Sequence, residues 1–238
     1  MSPAPLARPE LTGVHGVPEN ALSEALLAAL PRDVAGAPWD CRCSAVVWLE
    51  RGGARAARTL APALRAGAGL GVVGGLVRYE STPVGAYDEA LALVGGRTGL
   101  TPWVSVPFMA VDSPASLVGG RTNWALPKSL LEVDGVPGSA GRVSARGVDD
   151  VPHGDWELAA TARPIGPSVP VRTRAEMRQV FPDGTVRSCA LQAQGRVRPA
   201  LVTVEVRATG RLGEVLRSGR RLGALVESAA FTLGTPSA

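Results

Sequence analysis

A β-rich α+β fold is predicted by three features of the sequence. The 238 residues include 29 glycines and 20 prolines, short valine-rich runs lie between them, and few stretches have helical spacing. Glycine and proline at that density mark many turns rather than a helical bundle. Many short strands with two or three helices bury their apolar faces as a closed barrel or a sandwich, and the pattern alone leaves both open.

Taken in order, residues 1–20 are proline-rich and unpatterned, which predicts a loose N-terminal arm ahead of a single domain over 21–238. Residues 20–30 open on a polar side chain and repeat apolar ones at helical spacing until Pro31, so a short helix is expected. Residues 37–49 read as a strand ended by Gly52 and Gly53, and residues 54–66 as a second short helix around Pro62. Gly69, Gly71 and Gly74 fit the spacing GxGxxG. A dinucleotide site needs a strand before those glycines and a helix after them, because the helix N-terminus binds the pyrophosphate. Here the order is reversed, with a strand expected over 76–80, and the nucleotide reading is rejected.

Residues 104–111 form the next strand candidate. Residues 143–148 and 156–163 read as a hairpin around Val151-Pro-His-Gly-Asp155. Residues 180–191 and 199–208 read as two strands separated at Gly195, and 201–206 alternate as if one face were wet. At the end of the chain, Leu216, Leu222, Leu225, Val226, Ala229 and Leu233 recur at three- and four-residue steps. That spacing predicts a C-terminal amphipathic helix over 212–233.

Composition narrows the function classes. Net charge is +4, but the arginines are interleaved with acids and no basic run exceeds Arg220-Arg221. Nucleic-acid binding wants a dense basic stripe with stacking aromatics, so it is not expected. Cys41, Cys43 and Cys189 are an odd number with no CxxC spacing, which argues against a disulfide framework, zinc or any other metal. Three unframed thiols suit a reducing cytoplasm. Neither a signal-peptide core nor an apolar run of membrane-spanning length is visible, so a soluble protein without a membrane partner is expected.

One residue type stands out. Of 25 basic residues 24 are arginine, and the single lysine is Lys128, set among Trp124, Ala125, Leu126, Leu130 and Leu131. An ammonium can lose its proton where a guanidinium cannot, so a lone lysine in apolar surroundings suits amine chemistry on a carbonyl, that is, Schiff-base formation. Such an amine must be neutral. An ordinary lysine is neutral at pH 7 about once in two or three thousand molecules, and burial is able to close a gap of that order.

The segment Thr82-Pro-Val-Gly-Ala-Tyr-Asp-Glu89, followed by Val111-Asp-Ser and by Gly120-Arg-Thr-Asn-Trp-Ala-Leu-Pro-Lys-Ser-Leu130, resembles the acetoacetate decarboxylase family. That family places Gly-x-Tyr-x-Glu ahead of Gly-Arg-Glu running into Pro-Lys-Lys. The likeness extends back to Pro38-Trp39 through Val47 and, more loosely, forward through the C-terminal strands and helix. It implies a cone-shaped closed β-barrel with a few flanking helices, a homo-oligomer, no cofactor, and a small keto acid or other carbonyl compound as substrate. It further implies that Lys128 is the Schiff-base lysine and Glu89 the active-site glutamate, and that Arg42 holds the substrate carboxylate. An ionised Glu89 beside Lys128 would favour the ammonium, so Glu89 is expected to be protonated or paired with Arg42.

Two positions depart from the family pattern, Ser129 for its second lysine and Thr122 for the glutamate of Gly-Arg-Glu. With Ser129 there, activation by a neighbouring cation, for which acetoacetate decarboxylase is itself the standard example, is missing and must rest on burial. The expected activity is a cofactor-independent Schiff-base lyase of the decarboxylase type. Aldol, dehydration or deamination chemistry on the same scaffold, or a non-catalytic small-molecule pocket, are the alternatives.

Overall fold

The computed structural model describes residues 8–16, 22–148 and 155–238. Ten strands follow one another as β1 (Trp39–Arg51), β2 (Ala68–Ser81), β3 (Tyr87–Thr98), β4 (Thr101–Val111), β5 (Lys128–Asp134), β6 (Gly141–Gly147), β7 (Trp156–Pro164), β8 (Val169–Val180), β9 (Val186–Ala208) and β10 (Gly219–Leu233). Among the described residues five short helices interrupt them, α1 (Pro9–Thr12), α2 (Glu24–Ala29), α3 (Ala54–Arg58), α4 (Pro114–Trp124) and α5 (Arg211–Val215), with a single 3-10 turn at Pro62–Leu64.

All ten strands belong to one sheet in the order β10-β1-β2-β3-β4-β5-β6-β7-β9-β8, and β9 also pairs with β10, so the sheet closes into a ring. A second, smaller ring shares part of this wall. It is completed where β8 meets β4 at the parallel pair Val104–Met177. Gln179 clamps that seam, accepting from Ser105 Oγ at 2.5 Å and donating to the Val106 carbonyl at 3.0 Å.

Around Ala45–Trp48 the shared wall is apolar on both faces. On β1, Val46 and Trp48 belong to the cluster inside the first ring. Cys41, Cys43 and Ala45, of opposite parity, belong to a second cluster with Tyr79, Tyr87 and Leu117. Neighbouring residues of a strand point to opposite faces, so the second cluster is the other side of the same sheet.

The expected β-rich fold with few helices is what the structure has, and several elements differ in detail. Residues 212–233 are not a helix. They form α5, a short connection and the fifteen-residue β10. The turn of a hairpin falls at 181–185, inside the run read as a strand over 180–191, with Gly184 at φ +81°. Gly195 does not divide two strands either, since β9 runs through it. A Cβ there would stand 2.2 Å from the Ser228 carbonyl oxygen, so glycine is what lets β10 approach. The β6–β7 hairpin is present, and its expected turn lies outside the described residues. Of the arm expected over 1–20, residues 8–16 are packed, with Leu11 fully buried and its carbonyl held by Arg121 Nη1 at 2.5 Å.

The GxGxxG glycines all lie in β2. Gly74 has a packing reason, because a Cβ there would stand 2.4 Å from the Trp48 indole. Among the described residues no helix is long and apolar enough to cross a membrane.

Candidate active site

Lys128 enters the second cluster from the start of β5, and the chain before it is arranged to deliver it there. Ser113 caps α4 by accepting from the Ser116 N–H at 3.2 Å, with Pro114 in the first turn. The helix ends at Ala125, in the left-handed region at φ 52°, with its N–H on the Arg121 carbonyl. That reversal turns the chain through Leu126 and Pro127 into β5. Arg121, 1% exposed, then fixes the Lys128 main chain by donating Nε to its carbonyl oxygen at 2.8 Å. Gly120 leaves room for the lysine stem, since a Cβ there would stand 2.5 Å from Lys128 Cε.

Glu89 reaches the same place from β3, which pairs with β2 so that Tyr79 faces Tyr87 and Val77 faces Glu89. Lys128 Nζ donates to Glu89 Oε2 at 3.0 Å and to Ser116 Oγ at 2.9 Å. The other carboxylate oxygen, Oε1, accepts from the Tyr79 hydroxyl at 3.0 Å. Lys128 is 2% exposed and Glu89 1%. The ammonium also lies 5.1 Å from the centre of the Tyr87 ring, which stacks on Tyr79 with centroids 4.3 Å apart.

Burial and the Glu89 carboxylate push both tyrosine hydroxyls well above their ordinary range, so both stay protonated. The thiols of Cys41 and Cys43 on the adjoining β1 are pushed up to about 12, chiefly by burial and next by Glu89. These thiols are neutral walls, not nucleophiles.

Of the residues singled out from the sequence, Lys128 and Glu89 are brought into contact and Arg42 is not. Arg42 lies between Cys41 and Cys43 on β1, so it points to the opposite face, where it is exposed in a groove with Asp40, Gln194 and Arg172. Glu89 is therefore in contact with Lys128, where protonation or a pairing with Arg42 was expected. Ser129 is fully buried beside Lys128, and its hydroxyl has no hydrogen-bond partner among the described residues.

Ser116, Tyr79 and Arg121 were not singled out by sequence reasoning. The one available signal was that the chain's two tyrosines, Tyr79 and Tyr87, flank a turn-forming segment and so fall opposite each other in a hairpin. Among the described residues no group of three or more His, Cys, Asp or Glu could hold a metal ion.

No family model and no curated protein matches the chain. Solved structures do match in fold. The enduracididine biosynthesis enzyme MppR complexed with pyruvate superposes with a TM-score of 0.60 at 16% identity, over 86% of this chain and 91% of that one. An acetoacetate decarboxylase-like enzyme from Sphingomonas wittichii RW1 gives 0.58 at 15%, over 86% and 93%. Acetoacetate decarboxylase from Legionella pneumophila gives 0.56 at 15%, over 88% and 92%. Coverage of most of both chains by each of these structures shows that this protein has the acetoacetate decarboxylase-like fold.

Proposed function

We propose that the protein is a cofactor-independent Schiff-base enzyme of the carbon–carbon lyase class, with Lys128 as nucleophile and Glu89 as its proton partner. The observation that carries the reading is the buried contact of Lys128 Nζ with Glu89 Oε2 at 3.0 Å. A lysine kept only for its charge would sit in water. Here the ammonium and carboxylate are both out of solvent, where a charged pair is costly. Moving one proton from Nζ to Oε2 leaves a neutral amine and a neutral acid without changing the net charge. Glu89 thus offers a way to the free amine that needs no second lysine.

The neutral amine attacks the carbonyl carbon of a small substrate. Glu89 returns its proton to the oxygen of the resulting carbinolamine, which leaves as water, and the protonated imine remains on Nζ. When the substrate is a β-keto acid, the electrons of the bond to the carboxylate carbon flow into the imine as carbon dioxide departs. The enamine is then protonated at carbon and hydrolysed. Ser116 orients Nζ through its hydroxyl, and Tyr79 holds the far oxygen of Glu89. Arg42 has no part in this proposal, because it faces away from the pair.

The test is incubation with a panel of keto acids, ketones and aldehydes, followed by borohydride reduction and peptide mapping. Lys128 is the only lysine, so the N-terminal amine is the only competing site. Reduced adducts on Lys128, lost in Lys128→Arg, are expected, and their absence across the panel refutes the proposal. Released carbon dioxide separates decarboxylation from aldol or dehydration chemistry. Light scattering of the purified chain tests the homo-oligomer that the resemblance implies.

A further inference from the structure

The two faces of the wall beside Lys128 differ sharply in charge. Register across β1, β10, β9 and β8 aligns Arg42 with Ala230, Gln194 and Arg172, and Asp40 with Thr232, Gln192 and Arg174. In these rows Asp40, Arg42, Arg172, Arg174, Gln192 and Gln194 are exposed. The intervening rows, on the opposite face, align Cys41 with Phe231, Ala193 and Thr173, and Cys43 with Ala229, Gly195 and Val171. None of those eight side chains carries a charge.

The uncharged face is the one that carries Glu89. On β2 and β3 the same-face pairs are Tyr79 with Tyr87, Val77 with Glu89, Gly75 with Leu91, and Val73 with Leu93. Consider the same-face positions of β1 from Trp39 to Leu49, β2 from Val73 to Tyr79, β3 from Tyr87 to Leu93 and β10 from Leu222 to Leu233. Their only charged side chain is Glu89, already committed to Lys128 and Tyr79. Glu227, the extra residue of a bulge in β10, is engaged with Arg198 at 2.6 Å. Val47, Leu91, Val226 and Phe231 are only partly buried against this cluster, so apolar surface remains open next to the site.

From this distribution we infer that the substrate is an uncharged carbonyl compound with an apolar body, a methyl ketone or an aldehyde, and not a keto acid that keeps its carboxylate. A carboxylate brought onto these strand positions would meet the Glu89 side chain and no guanidinium among them, and burying an anion unpaired is strongly unfavourable. An aliphatic chain meets thiol, phenyl and branched aliphatic surface that it would desolvate with gain. The inference rests on the Schiff-base reading and narrows it, shifting the expected chemistry from carboxylate loss towards making or breaking a carbon–carbon bond next to an uncharged carbonyl.

Two ketones that differ only at the far end test it, 2-hexanone and 5-oxohexanoate, each at the same concentration and pH with cyanoborohydride. In both, Nζ bonds to the carbonyl carbon, water carries off the oxygen, and the reagent delivers hydride to the imine carbon to leave a stable secondary amine. Labelling of Lys128 by 2-hexanone is expected to exceed that by 5-oxohexanoate by about tenfold or more, the carboxylate being the group with no partner. Equal or faster labelling by 5-oxohexanoate overturns the inference and leaves the Schiff-base reading standing. No labelling of Lys128 by either ketone, or by any member of the wider panel, overturns both.

Discussion

Lys128 and Glu89 sit where neither charge is supported by water, at 2% and 1% exposure, so each depends on the other. Removing one partner of such a pair costs roughly 3–5 kcal/mol, because the remaining charge stays buried without compensation. Glu89→Gln should therefore lower the stability measured by urea unfolding by that amount and abolish reduced adducts. The double variant Lys128→Met with Glu89→Gln should recover most of the stability while staying inactive. Equal stability of the single and double variants would mean that the pair is solvated after all. The lysine and the glutamate were legible in the sequence, one by its singularity and the other by the Gly-x-Tyr-x-Glu spacing. Arg42 was not, because a strand shifted by one residue exchanges its faces. Arg42 was placed only by similarity of position, outside the two central motifs, and the parity of β1 turns Cys41 and Cys43 to the Glu89 side instead.

Among the elements, α4 carries the consequence of Gly120. Alanine there is worth up to about 1 kcal/mol more than glycine in a helix interior. Its methyl, however, would stand 2.5 Å and 2.6 Å from Lys128 Cε and Cδ and must push the lysine aside. Gly120→Ala is expected to change stability little and to slow adduct formation by about ten- to a hundredfold, the scale of loss for an ångström of misplacement. Comparing labelling rate with melting temperature separates the two effects. The β4–β8 seam is the other exposed dependency. Gln179→Leu leaves the Ser105 hydroxyl and the main-chain N–H and C=O of Val106 without their side-chain partner. A loss of about 2–4 kcal/mol in urea unfolding is expected from unsatisfied buried groups.

The misread helix over 212–233 belongs to this scale as well. Where the wall is apolar on both faces, Leu225 turns into the first ring, Val226 into the second cluster, and a bulge at Glu227 resets the alternation. Period two is erased, and what remains imitates three- and four-residue spacing. The hairpin turn at 181–185 had a visible Pro-Asp-Gly signal, which the apolar residues on either side concealed.

For the molecule as a whole, the second cluster gathers proton-holding groups whose titration is tied to folding. The chain has two tyrosines and three cysteines. Burial raises Tyr79 and Tyr87 well above 10, and Cys41, Cys43 and Cys189 from 9.0 to about 12. A folded pKa raised above the unfolded one means that the native chain holds protons the unfolded chain has released. The stability from these groups is thus complete below their unfolded values of 9 to 10 and falls as pH rises beyond them. Each group ionised only in the unfolded state removes about 1.4 kcal/mol per pH unit, so the tyrosine pair alone removes about 3 kcal/mol per unit above pH 10. The native protein should show no phenolate absorbance at pH 10, where free tyrosine is half ionised. Both phenolates should then appear together, in one cooperative step that coincides with the change in tryptophan fluorescence. Smooth titration of either tyrosine near pH 10 with the fluorescence unchanged would show that the stacked pair is open to water. The apolar enclosure argued for Lys128 would fail with it, since Tyr79 and Tyr87 form its wall.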